Sequence, residues 1–281
     1  MRIVESVAEA KELTRAWKRA GETVGLVPTM GYLHEGHGSL IRRARDENDR
    51  VVVSVFVNPT QFGKDEDLSV YPRDFEGDAA FCEKLGADAL FHPDASEMYR
   101  DHRSYVNVEE LADTLDGAAR PGHFRGVCTV VAKLFNIVAP DRAYFGRKDA
   151  QQLAVVEKMA ADLNFDVEVV GCPTVREEDG LAMSSRNSYL DASERKAATV
   201  LSRAVERGKA IVREGMASSE LEGAMKATIA EEPLAQVEYV SVVDARTMQP
   251  LERVRAPVTV AVAARVGRTR LIDNFSWPEE A

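Results

Sequence analysis

The chain has 281 residues, 45% of them hydrophobic and 29% charged, with a formal net charge of −10. Those values fit a folded globular protein and argue against a broad cationic surface for nucleic acid or an acidic membrane, while allowing a local pocket for a small anion. Three cysteines, Cys82, Cys128 and Cys172, form no CxxC pair, which argues against a zinc knuckle or a disulfide framework and predicts buried, reduced thiols in a cytoplasmic protein.

No apolar run approaches the ~18 residues of a membrane span. The N-terminal stretch carries acids throughout and lacks an apolar core segment, so no signal peptide is expected. Instead, Val7, Leu13 and Trp17 are spaced for an amphipathic helix. A buried strand at 23–28 follows, then a loop at 31–38 and a helix at 39–49. The run RVVVSVFV at 50–57 is β-branched throughout and reads as a central parallel strand. After a loop of turn formers come a helix at 74–85 and a strand at 88–92. The alternation resumes with a helix at 127–138, a strand at 142–145, a helix at 149–163 and a strand at 166–171. Such repeated β–α alternation predicts a Rossmann-like, doubly wound parallel sheet, whose ligands sit beyond the carboxyl ends of the strands. The loops after Val27 and after Val57 lie there.

A polar loop at 175–187 then leads to Asp191 and Glu194, spaced as a capping box opening a helix through Arg213. A helix at 218–231 and strands at 237–243, 258–264 and 269–272 complete the chain. The expected organisation is a Rossmann-like domain over 1–175 and a smaller C-terminal α+β domain over 176–281 that closes over the site.

Two of the five histidines, His34 and His37, flank Gly36 where a strand gives way to a helix. Backbone N–H groups and the dipole at a helix N-terminus favour phosphate, and imidazoles add hydrogen-bond donors. A bare HxxH turn matches by chance often; here the pair follows a strand and PTMG, the context a nucleotide site needs. Three further clusters fall at strand ends or polar loops. Lys148, in FGRKDAQQ, offers a point charge for phosphate, and Asp149 and Gln152 lie one helical turn apart. MSSRN at 183–187 joins hydroxyls to a guanidinium, and Gln61, in NPTQ, suits a small polar substrate. Each cluster alone reads as an ordinary helix cap, a solvated linker or a turn. Three alternatives stand on these residues: a ligase, another nucleotidyltransferase such as a tRNA-synthetase-like module, and a nucleotide-binding regulator without chemistry. The acidic balance counts against the tRNA-synthetase form.

In order, the chain contains PTMGYLHEGH, FVNPTQF, YPR, HFRGVCTVV, YFGRKDAQQ and MSSRNSYL. This set resembles the pantoate–β-alanine ligase family over residues 24–192; HxGH alone marks only the wider nucleotidyltransferase superfamily. The resemblance implies ATP-dependent condensation of (R)-pantoate with β-alanine through a pantoyl adenylate, with magnesium accompanying the nucleotide and a homodimeric assembly. It implies that Met30, Gly31, Tyr32, Leu33, His34, Glu35, Gly36 and His37 bind ATP, with His37 as proton donor and His34 on the phosphates. It carries Gly146, Arg147, Lys148 and Asp149 over to ATP as well, Lys148 on the phosphates and Asp149 near the ribose. By the same likeness Val175 touches the adenine, and Met183, Ser184, Ser185 and Arg186 cover the triphosphate. Gln61 and Gln152 are implied to bind pantoate, Gln61 also β-alanine. Two positions depart from the family pattern: Gly38 replaces a bulkier apolar residue, expected to loosen the helix start, and Arg147 replaces an acid. No protein ligand for the metal is assignable; Asp78 is a faint candidate beside its expected role as a surface helix acid. His123 and Arg125, in GHFRGV, are expected ahead of a helix start and read as a dimer-contact or substrate-loop segment.

Overall fold

Strands that are apolar on both faces must be covered on both faces, and the runs around Leu26 and Val53 meet that condition: both side chains are fully buried. The computed structural model describes residues 1–64 and 66–279. In chain order the elements are β1 (Arg2–Val4), α1 (Val7–Arg19), β2 (Val24–Thr29), α2 (Glu35–Glu47), β3 (Arg50–Val55), α3 (Phe75–Lys84), β4 (Ala89–Phe91), α4 (Ala95–Met98), α5 (Leu115–Ala119) and α6 (His123–Val138). They continue with β5 (Arg142–Gly146), α7 (Ala150–Asp162), β6 (Glu168–Cys172), α8 (Ala192–Ala198), α9 (Val200–Ile211), α10 (Ser218–Ala230), β7 (Ala235–Asp244), β8 (Val258–Val266) and β9 (Thr269–Trp277).

The chain divides into two compact units. The first contains Met1–Val108, Arg120–Arg147 and Val155–Pro173. Its sheet is parallel, in the order β1-β4-β3-β2-β5-β6. β2 pairs with β3 from Val24↔Arg50 to Thr29↔Val55 and, on its other edge, with β5 at Gly25↔Arg142. Strand order therefore reverses at β2, the topological switch point where an open α/β sheet opens a crevice at its carboxyl end. Ile41, Val51, Leu90 and Tyr144 form the core beneath it. All three cysteines are buried and unpaired with one another. Burial pushes the Cys82 and Cys128 thiols up to about 12, so both act as small core side chains.

The second unit contains Glu109–Ala119, Lys148–Ala154 and the chain from Thr174 onward. Its sheet is antiparallel, β7-β8-β9, and α9 and α10 pack Leu201, Leu221, Met225 and Ile229 against Val242, Val260 and Val262. No helix among the described residues is long and apolar enough to cross a membrane.

Several elements differ from the sequence reading. α2 begins at Glu35 rather than 39, because His34 itself serves as the N-cap. α6 begins at His123 rather than 127, after Gly122 in the left-handed conformation with no side-chain cap, so His123 and Arg125 lie inside the helix. The helix opening at Asp191 has its expected capping box but breaks at Thr199 into α8 and α9. β1 and α4 had no legible signal: three and four residues are too few to show a period.

Candidate active site

β2 leaves the sheet into a turn that only unusual backbone angles allow. Gly31 has φ +86° and Tyr32 φ 52°, and a Cβ on Gly31 would lie 2.8 Å from Asp78 Oδ2 and 2.9 Å from Val55 Cγ1. Asp78 holds this turn: its two carboxylate oxygens accept from the N–H groups of Tyr32 (2.8 Å) and Leu33 (2.7 Å). The side chain is buried, which corrects its expected surface role. Burial pushes its carboxyl above the usual range, against the two backbone donors, which favour the anion. Asp78→Asn is expected to lower stability by about 1–3 kcal/mol, because the amide presents a donor to one of those N–H groups. Chemical denaturation with an unchanged midpoint would contradict this.

The turn delivers the two imidazoles to the first turn of α2. His34 Nδ1 accepts from Gly36 N–H at 3.1 Å, and His37 Nδ1 accepts from His34 N–H at 3.3 Å. A backbone N–H can only donate, so each neutral ring carries its proton on Nε2. The ring centroids are 4.1 Å apart and tilted by 41°. Two Nε2–H donors are thus set side by side at the positive end of a helix, an arrangement suited to anionic oxygens. The expected loosening at Gly38 is not what the packing shows: the residue is buried, and a Cβ there would meet Phe81 Cζ at 3.0 Å and Leu85 Cδ1 at 3.3 Å, so α3 fills the space.

The loop after β3 closes into a 3₁₀ turn, Pro59–Gln61, capped by Asn58. Gln61 is buried; its Nε2 donates to Met30 Sδ at 3.1 Å, and its Oε1 accepts from Asn58 Nδ2 at 3.0 Å. The two loops expected beyond the strand ends therefore meet. Asn58 is the organiser here. Its Nδ2 also reaches Gly126 O at 3.1 Å, and its Oδ1 accepts from Tyr99 O–H at 2.7 Å and Thr60 O–H at 2.8 Å. Gly126 lets α6 approach this closely, since a Cβ there would sit 2.3 Å from Thr60 O. The sequence signal for Asn58 was its Asn-Pro turn, which marks a bend without revealing these partners. At the end of β5 stand Gly146 and Arg147, with Arg147 Nε donating to Gly171 O at 3.4 Å.

In the second unit, Lys148 and Asp149 close a 3₁₀ turn before α7, with Lys148 Nζ 3.5 Å from Asp149 Oδ1. Gln152 is half-buried on the first turn of α7, whereas its neighbour Gln151 is structural, binding Leu111 O, Thr114 O and the Asp116 N–H. The polar loop is a small hairpin in which Met183 N–H donates to Val175 O at 3.0 Å and Glu177 N–H to Leu181 O at 2.9 Å. It presents Ser184, whose hydroxyl accepts from Arg186 N–H at 3.3 Å, at the start of the turn Ser185–Tyr189. One strand ties these segments together. Asp273 on β9 takes a two-pronged bond from Arg176 at 2.7 and 2.9 Å, and Asn274 Nδ2 donates to Lys148 O at 2.7 Å.

Comparison with known proteins adds an independent line. The family model described as pantoate-beta-alanine ligase matches residues 2–276. A pantothenate synthetase of Clostridium acetobutylicum is 55% identical over 279 residues, covering 99% of each chain. The crystal structure of pantothenate synthetase from Thermus thermophilus is 50% identical with a TM-score of 0.92, covering 98% of this chain and 99% of that one. A pantoate-beta-alanine ligase from Francisella tularensis, solved in complex with beta-gamma ATP and beta-alanine, is 33% identical with a TM-score of 0.82, covering 98% of this chain and 97% of that one.

Proposed function

The chain belongs to the pantoate–β-alanine ligase family, and from that premise we propose how its own residues divide an ATP-dependent ligation of pantoate to β-alanine. The pantoate carboxylate attacks the α-phosphorus of ATP; the P–O bond to pyrophosphate breaks and pyrophosphate leaves. The β-alanine amine then attacks the acyl carbon, the C–O bond to AMP breaks, and the amine gives up a proton as pantothenate forms. Bringing a carboxylate to a triphosphate sets anion against anion, so the first step needs donors aimed at the charge that develops as the bond to pyrophosphate breaks.

The observation that carries this reading is the imidazole pair at the head of α2, with both ring protons fixed on Nε2. His34 and His37 would donate to the phosphate oxygens, with Lys148 and Arg186 adding charge and Ser184 and Ser185 hydroxyls. Met30, Gly31, Tyr32, Leu33, Glu35 and Gly36 shape the nucleotide-binding turn, Gly146, Arg147 and Asp149 extend it, and Val175 and Met183 contact the base and the triphosphate. Gln61 and Gln152 would hold pantoate. Magnesium enters as the partner of the triphosphate. Among the described residues no group of three metal-binding side chains occurs, which fits an ion that keeps its waters and is carried by the phosphates, where it offsets their charge. A cytoplasmic location fits the three buried thiols, and a homodimer accompanies the family reading.

Mixing the protein with ATP, magnesium, pantoate and β-alanine should release pyrophosphate and AMP in equal amounts and only when pantoate is present. Pantoate-independent release, or release that requires an amino acid and tRNA, would overturn the proposal. Gln61→Ala should raise the KM for pantoate by about tenfold, the worth of one or two hydrogen bonds, while the KM for ATP stays near the parent value. Equal pantoate affinity in both proteins, by calorimetry, would remove Gln61 from the site.

A further inference from the structure

We infer that His123 is a positioning residue for the acyl substrate, acting through the backbone of Gln61; the inference rests on Gln61 binding pantoate. His123 is buried on the first turn of α6. Its Nδ1 lies 2.8 Å from Gln61 O, and its Nε2 lies 3.1 Å from Arg120 Nη1. A guanidinium has no acceptor and a carbonyl has no donor, so both contacts demand one tautomer: Nε2 accepts from Arg120, and Nδ1–H donates to Gln61 O. This is the reverse of the tautomer carried by His34 and His37. Arg120 is in turn fixed by a two-pronged pair with Glu66, Nε to Oε1 at 2.8 Å and Nη2 to Oε2 at 2.6 Å.

The consequence follows from where Gln61 sits. It ends the turn begun by Pro59, and that turn meets α6 in three ways: the bond from Asn58 to Gly126 O, the bare Cα of Gly126, and the bond from His123 to Gln61 O. The first two fix the path of residues 58–60 and press on the Cα of Gln61. Among the described residues the third is the side-chain bond to the carbonyl of Gln61 itself, and so it sets the direction in which that side chain leaves the backbone. Glu66, Arg120 and His123 thereby form a chain of oriented groups ending on the carbonyl of the substrate-binding residue, as supporting hydrogen bonds orient ligands elsewhere.

The test turns on which nitrogen does the work. In His123→Asn the amide Nδ2 stands where Nδ1 stood; in His123→Gln the amide lies near the former Nε2. Initial rates are measured for both variants and for His123→Ala, with pantoate varied at saturating ATP and the reverse. The expected result is a pantoate KM near the parent value in the Asn variant and about fivefold higher in the Gln and Ala variants, with the ATP KM unchanged throughout. Equal pantoate KM in the Asn and Gln variants, or a rise in the ATP KM matching that for pantoate, would overturn the inference. Gln61→Ala in the same series separates the two claims. An unchanged pantoate KM there defeats the assignment of Gln61 and this inference with it; a raised KM there beside an unchanged one in His123→Ala and His123→Gln defeats this inference alone.

Discussion

His37→Ala is expected to lower kcat by about a hundredfold or more, the usual scale for removing one donor from a developing oxyanion. The substitution removes two things. It deletes the Nε2–H proposed to donate to the nucleotide, and it deletes the Nδ1 acceptor that bonds the His34 N–H. The second loss belongs to stability and is worth about 1 kcal/mol, the ordinary value of one hydrogen bond. His37→Gln separates them, because its amide nitrogen reaches toward the former Nε2 while the Nδ1 acceptor is gone. The Gln variant should therefore recover part of kcat while unfolding at the lower denaturant midpoint of the Ala variant. Parent-like turnover in His37→Ala would take this residue out of the chemistry.

Arg176→Met is expected to destabilise the second unit by about 3–5 kcal/mol. The guanidinium grips an almost wholly buried carboxylate, Asp273, with two bonds and also donates to Gly180 O at 3.0 Å. Breaking a buried pair from one side leaves a charge without compensation, which costs more than the intact pair contributes. The bond to Asp273 also holds the guanidinium pKa above its usual value, as expected of a partner that stabilises the charged form. Combining Arg176→Met with Asp273→Asn should recover most of the loss, since the stranded charge is then gone while the Asn274 N–H, which bonds Asp273 Oδ1 at 2.8 Å, keeps an acceptor. Urea unfolding of the single and double variants measures both effects. The hairpin carrying Met183 and Arg186 hangs on this pair, so the single variant should also bind ATP more weakly. A double variant no more stable than the single one would place the loss in side-chain packing instead of stranded charge.

What the sequence disclosed was what local pattern encodes. The β–α alternation, the strand read at 50–57, which the structure ends at Val55, and the capping box at Asp191 rest on periodicity and short-range spacing, and they stand in the structure. The histidine pair was legible as a strand-to-helix junction. Its helix start was missed by four residues because an imidazole is not among the usual capping side chains. The departures among the side-chain roles share one physical cause: a partner far along the chain. Asp78 reads as a surface acid until Tyr32 and Leu33, more than forty residues away, offer their N–H groups. The same holds for Arg176 and Asp273, 97 residues apart, and for His123 and Gln61, 62 apart. Such pairings emerge only when the sheet brings its loops together, so spacing alone gives no sign of them.

The most direct test of the account is isotope exchange between labelled pyrophosphate and ATP in the absence of β-alanine. An enzyme that makes pantoyl adenylate before the amine arrives will move label into ATP when pantoate and magnesium are present, and His37→Ala will lose that exchange along with overall turnover. Exchange that needs β-alanine, or formation of ADP and phosphate in place of AMP and pyrophosphate, would contradict it.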